Sequence, residues 1–266
     1  MDRIECQWCR GQNPTDAQTC LICGAPLDMR NKVSESGWRE APRLRDMTEF
    51  RFSNSTCQVE GELVPVAEVL LGQGDAVFFE HHVLLWKDEQ TPLVAMNTGG
   101  GFKRTLGGMP FVLSMAHGPG RIAFSRDAAG ELVVLPLHPG MELDVREHAF
   151  LVASHTIDYS FVRIKGLANI LHGGSGMYMD RFVTAGAPGL LMLHGNGNVL
   201  ERYLQPGEKI LVEPGGFLYK DATVQMQAQQ MPLKTGLMRH GMYLAEMTGP
   251  GRVGIQSMYV HHQSDE

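Results

Sequence analysis

A short turn-and-strand motif recurs along this chain at a nearly constant beat. Pro139-Gly140 comes ten residues before Phe150-Leu151, and Pro206-Gly207 comes ten residues before Phe217-Leu218. A worn third copy is Gly72-Gln73-Gly74, ten residues before Leu84-Leu85, so the glycines at 74, 140 and 207 stand 66 and 67 residues apart. Gly118-Pro119-Gly120, Ala187-Pro188-Gly189 and Gly249-Pro250-Gly251 keep the same beat and each opens a short apolar run. Proline fixes φ and glycine permits positive φ, so each pair turns the chain between extended segments. The runs themselves are short and apolar, such as Leu132–Leu135, Ala149–Ala153 and Leu190–Leu193. Short strands at this spacing predict an all-β sandwich or barrel rather than a βαβ fold, built from one unit used about three times.

The first 28 residues follow a different rule. Cys6-Gln7-Trp8-Cys9 is followed after ten residues by Cys20-Leu21-Ile22-Cys23-Gly24, and these hold four of the five cysteines. Two C-x-x-C pairs present four thiolates on two tight turns, the arrangement that tetrahedral Zn²⁺ takes. Residues 1–28 are therefore expected to be a zinc ribbon with Cys6, Cys9, Cys20 and Cys23 as ligands; iron uses the same donors. So short a segment builds no core of its own, and metal binding becomes its folding energy. Four protein ligands close the site, which makes the ion structural rather than catalytic. Cys57 stands alone and reads as a small buried hydrophobe.

Composition removes several classes. With 43% hydrophobic residues and a net charge of −6, the bulk is not disordered, and it lacks the basic stripe of a dedicated nucleic-acid binder. No apolar run reaches the ~18 residues of a membrane-spanning helix, and no charged-then-apolar leader opens the chain. The expectation is a cytoplasmic, reducing location without an integral membrane segment. Residues 29–47, with Arg30, Lys32, Arg39, Arg43 and Arg45, read as a polar linker, and 48–262 as the repeat-built β domain.

The succession Gly99-Gly100-Gly101, Gly107–Phe111, Gly118–Gly120, Pro139-Gly140 to Leu151, Gly174–Tyr178, Pro206-Gly207 to Leu218 and Gly249–Gly251 resembles the mitochondrial-biogenesis family. That family is named for altered inheritance of mitochondria, and its β fold is that of the tryptophan RNA-binding attenuation protein. The resemblance covers about residues 48 to 260. It implies a double-stranded β-helix or β-sandwich of pseudo-repeats and a homo-oligomer, with a trimer the leading form. Bacterial relatives of that family lack an established activity.

Candidate chemistry outside the cysteines is thin. Gly173–Met177 lacks the closing glycine of a nucleophile elbow. Among eleven histidines there is no H-x-H pair. His81-His82 and His261-His262 are neighbours whose side chains would leave a strand on opposite faces. His81, His82, Glu147 and His148 occupy equivalent places in successive repeats. Phe78, Phe79, Phe150, Tyr178, Phe217 and Tyr243 read as core. The expected function is a non-enzymatic scaffold that binds zinc and meets a protein partner through its ribbon. Two other readings stand beside it: an RNA- or DNA-binding protein, which the acidic balance opposes, and a metal-dependent enzyme using His81, His82 or His148.

Overall fold

The computed structural model describes residues 3–6, 9–14, 17–25, 27, 34–96, 113–164, 177–184, 186–231 and 243–258. The glycine-rich runs at 99–101, 107–111 and 173–176, and the His261-His262 pair, lie outside them. The chain divides into two compact units, Met1–Glu40 and Ala41–Glu266. The boundary falls inside the stretch expected as a linker. Arg43–Leu44 already pairs with Gly130–Leu137, and the Arg43 guanidinium donates to the buried Glu131 carboxylate.

The larger unit is all antiparallel β, its described residues adding only two single-turn 3-10 segments, His81–Val83 and Pro214–Gly216. After Arg43–Leu44, Glu49–Phe52 and Ser55–Glu60, the last of which pairs with Val66–Leu71, its remaining strands fall into three successive sets of six. The first is Val66–Leu71, Ala76–Glu80, Leu84–Lys87, Leu93–Ala95, Leu113–His117 and Gly120–Phe124. The second is Gly130–Leu137, Glu142–Arg146, Phe150–Ser154, Asp158–Ile164, Met177–Val183 and Gly189–Asn196. The third is Val199–Leu204, Lys209–Val212, Phe217–Asp221, Gln225–Gln230, Tyr243–Thr248 and Gly251–Gln256. In every set the sixth strand pairs with the first and third, and the fifth pairs with the second and fourth. The turn from first to second strand carries the recurring glycine, with φ of +85° at Gly74, +85° at Gly140 and +77° at Gly207. A side chain at any of these would sit in the left-handed region that glycine alone enters cheaply.

One pairing joins each set to the next. The second strand of the first set, Ala76–Glu80, lies against the third strand of the second set, with Phe78 opposite Ala153. Glu142–Arg146 repeats this against Phe217–Asp221, with Asp144 opposite Lys220. These joints make antiparallel sheets shared between sets, whose central strands are buried on both faces, as in Ala76–Glu80 and Phe150–Ser154. That explains why such strands read as continuous apolar runs rather than alternating ones. Neighbouring residues serve different cores: Phe78, Val133 and Leu193 pack in one cluster, Phe79, Val134 and Met192 in another. A third cluster, around Phe217, Met247 and Val253, covers the last set. Of the aromatics expected in the core, Phe78, Phe79, Phe150 and Phe217 are fully buried, whereas Tyr178 and Tyr243 are half-buried. Cys57 is buried.

The joints leave two strands short of a neighbour. Among the described residues, Leu84–Lys87 pairs only with Gly120–Phe124, although its counterparts in the later sets each take a second partner from the set before. Lys209–Val212 pairs only with Tyr243–Thr248, although its counterparts each take a partner from the set after. Large apolar side chains stand exposed on both: Leu85 at 55% and Trp86 at 40% on one, Leu211 at 42% on the other.

The second joint carries a buried charge cluster. Lys220 Nζ donates to Asp144 Oδ2 at 2.7 Å, and Arg181 Nε donates to Oδ1 at 2.7 Å. Burial works to raise the Asp144 carboxyl, but the two cations outweigh it and hold it below the usual carboxylate range. Removing one partner strands a charge in the interior, which costs about 3–5 kcal/mol. Asp144→Ala, which strands the buried Lys220, is therefore expected to lower unfolding free energy by that amount in urea titrations, and Lys220→Ala with Asp144→Ala by much less. Because the folded carboxyl titrates below its unfolded value, its stabilisation is full above about pH 4 and is lost as the solution is acidified further. The gap between wild type and the double variant is expected to close on that descent.

Candidate metal centres

The amino-terminal cysteines are brought together as a four-sulfur cluster. Cys6 Sγ lies 3.7 Å from Cys23 Sγ, and Cys9 Sγ lies 3.5 Å from Cys20 Sγ. All four sulfurs fall within 4.8 Å of one another. A disulfide would bring a pair to about 2 Å. Sulfurs bound at about 2.3 Å around a tetrahedral ion sit just under 4 Å apart, so the four Sγ atoms fit that geometry.

Two turns of the same build hold them. In the first, Cys6 N–H donates to Gly11 O and Arg10 N–H to Cys6 O; in the second, Cys20 N–H donates to Ala25 O and Gly24 N–H to Cys20 O. The residue after each pair is left-handed, Arg10 at φ +56° and Gly24 at φ +71°. Glycine takes that conformation freely at the second turn, and arginine is held there at the first. Asn13, 1% exposed, ties the turns together. Its Nδ2 donates to Gly11 O at 2.8 Å and to Cys20 Sγ at 3.5 Å, while its Oδ1 accepts from Leu21 N–H at 2.8 Å. The backbone N–H groups of Cys23 and Ile22 also face Cys20 Sγ, and together with Asn13 they bring its thiol down to about 6. Cys20 thus favours the thiolate, the form that binds metal, whereas Cys9, despite the lowering contact with the Gly11 backbone, is pushed up to about 12 by the sulfurs of Cys23, Cys20 and Cys6. Asn13 went unnoticed as a functional residue in the sequence; its only signal is its place in a turn between the two pairs. Leu21 and Ile22, between the second pair of ligands, are 74% and 69% exposed.

The histidines fall out differently from the expectation. His81-His82 lies in a 3-10 turn rather than a strand, so the opposite-face rule for adjacent strand residues does not govern it. His82 and His148 come together, their rings 6.1 Å apart, and the His81 ring stands 5.9 Å from His82. The buried Glu80, absent from the sequence reading, lies between His82 and His148. Burial lowers the His82 imidazole below its ordinary value, whereas the Glu80 carboxylate beside His148 raises that one. Glu147 is not part of this three-residue group.

Asn13 donates to Cys20 Sγ and so is placed to orient that sulfur. Its replacement by alanine is expected to weaken zinc binding roughly 10- to 100-fold in competition with a chromogenic chelator, with one ion per ribbon still bound at saturation. An unchanged affinity would mean that the two turns are held together without it.

A family model described as mitochondrial biogenesis AIM24 matches residues 57–258. Comparison with curated proteins returns no match. Among solved structures, the crystal structure of protein SPYM3_0169 from Streptococcus pyogenes is similar, with a TM-score of 0.59 at 18% identity over 77% of this chain and 94% of that one. At that identity the likeness carries the fold alone. The family match spans most of the larger unit, including all three strand sets, and the chain belongs to the mitochondrial biogenesis AIM24 family.

Proposed function

We propose that this chain is a non-enzymatic scaffold that assembles with copies of itself and meets a protein partner through its ribbon, in a reducing compartment such as the cytoplasm. The observation that carries the reading is the pair of unfilled strand edges. Among the described residues, Leu84–Lys87 lacks the neighbour that a second strand supplies elsewhere, and Lys209–Val212 is a second strand lacking the neighbour that a third strand supplies. Each edge is what the other needs. Open edges with apolar side chains are liabilities unless covered, and a second copy covers both by a pairing the chain already makes twice. Contact between unlike edges is head-to-tail, so it closes into a ring or runs on as a filament. A ring of three copies is the form we favour.

The internal joints also set the register. Ala153 faces Phe78, and Lys220 faces Asp144, at steps of 67 and 66 residues along the repeat. Carried on by the same steps, Leu211 of one copy meets Lys87 of the next. No membrane-spanning helix exists among the described residues. The ribbon offers a partner Leu21 and Ile22 at the tip of its second turn, where both are largely exposed. Zinc in the four-cysteine site holds that tip in shape, and thiolate ligands keep their metal where disulfides do not form.

Light scattering of the full chain is expected to give a multiple of 29.4 kDa at micromolar concentration, three-fold for the closed ring. A variant with Leu211→Cys and Lys87→Cys is expected to form disulfide-linked ladders between chains on mild oxidation, while each single variant stops at a dimer or stays uncrosslinked. A monomer mass with no ladder would end the proposal. Catalytic turnover that survives loss of assembly would replace the scaffold with an enzyme.

A further inference from the structure

We propose that Glu80, His82 and His148 form a second metal site, for a divalent transition ion of the zinc class, which clamps the first strand set to the second. None of the three belongs to the ribbon, and the site is independent of the scaffold reading.

Glu80 ends a central strand and is only 2% exposed, yet neither of its carboxylate oxygens accepts a hydrogen bond among the described residues. A buried carboxylate without donors is costly and calls for a cation. His82 Nε2 stands 3.2 Å and His148 Nδ1 3.7 Å from Glu80 Oε2, and the three donor atoms lie within 4.8 Å of one another. The tautomer of His82 follows from its other neighbour. Arg126 Nη1 is 2.9 Å from His82 Nε2, and a guanidinium only donates, so Nε2 accepts and carries a lone pair. It therefore brings no proton to Glu80. Lone pairs converge where positive charge belongs, and the Arg126 guanidinium stands beside them. One carboxylate and two imidazoles are the donors that zinc takes at sites with a free fourth position.

The backbone points the same way. His148 is held at φ +64°, a conformation that costs a non-glycine residue energy and persists where the surroundings demand it. The next joint is closed without any such device. One repeat along from Glu80 stands Arg146, whose guanidinium donates to Pro214 O at 3.2 Å and also to Gly215 O. Gly215 occupies the place of His148. At that joint the turn carbonyls satisfy the buried charge; at the first joint, a carboxylate and two imidazoles face each other instead.

The test uses the full chain, purified reduced, loaded with excess Zn²⁺ and freed of unbound ion by gel filtration before metal analysis. Two ions per chain are expected. Glu80→Gln, which keeps the side-chain shape, and His148→Gly, which relieves the positive φ, are each expected to hold one. A variant with Cys6→Ser and Cys9→Ser, which disables the ribbon, is also expected to hold one, and it loses that ion when Glu80→Gln is added. Circular dichroism of the two β-unit variants is expected to match wild type. One ion in wild type, two ions retained in both Glu80→Gln and His148→Gly, or none in the ribbon variant would each overturn the site.

Discussion

The backbone ladder between one strand set and the next is the interaction on which the larger unit depends. Within a set, the sixth strand serves the first and third while the fifth serves the second and fourth. Nothing in that internal pattern ties the two halves into one sheet. The joints at Ala76–Glu80 with Phe150–Ser154 and at Glu142–Arg146 with Phe217–Asp221 do so. They place the most apolar strands where both faces are covered, so that Phe78 and Phe79, neighbours in sequence, fill two separate cores. The same rule has a consequence at the ends. Among the described residues, a chain of joints leaves a strand at each end with one neighbour instead of two, and apolar side chains are exposed on both.

The joints also differ in chemistry, and the difference is informative. The second is lined by charges that satisfy each other: Asp144 with Lys220 and Arg181, and Arg146 with turn carbonyls. At the first, a carboxylate that accepts no hydrogen bond among the described residues faces two imidazoles, with an arginine beside His82. Identical backbone pairing thus tolerates quite different buried polar groups, provided each has its counter-charge. In the amino-terminal unit only Cys6, Cys20 and Leu27 make a minimal buried cluster, and the four cysteine sulfurs beside it converge closely enough that they could hold a metal ion.

Turns and the clustering of the cysteines are the legible part of the sequence, because both need particular residues at particular positions. Gly74, Gly140 and Gly207 share a left-handed φ that few other residues take, so the beat of the fold shows in the letters. Strands begin at Gly120, Gly189 and Gly251, at the expected markers. The four cysteines are legible for the same reason. The joints are not, since a ladder between strands 66 or more residues apart is made by backbone groups that every residue carries. Glu80 is hidden for a related cause: a glutamate at a strand end looks like surface, and only the covering by the second strand set makes it buried. His82 and His148 occupy equivalent repeat positions, but their meeting depends on that same joint. Arg43–Leu44 reads as linker because two residues carry no period, although the edge of Gly130–Leu137 recruits them.

If the joint is the organising contact, it should be made a third time, between copies. Amide hydrogen exchange followed along the chain reads this directly. At high protein concentration the amides of Leu84–Lys87 and Lys209–Val212 are expected to be protected together, to a degree like that of Phe150–Ser154, and to lose protection together on dilution while the internal joints keep theirs. Rapid exchange at both edges at every concentration, with the internal joints protected, would contradict the account.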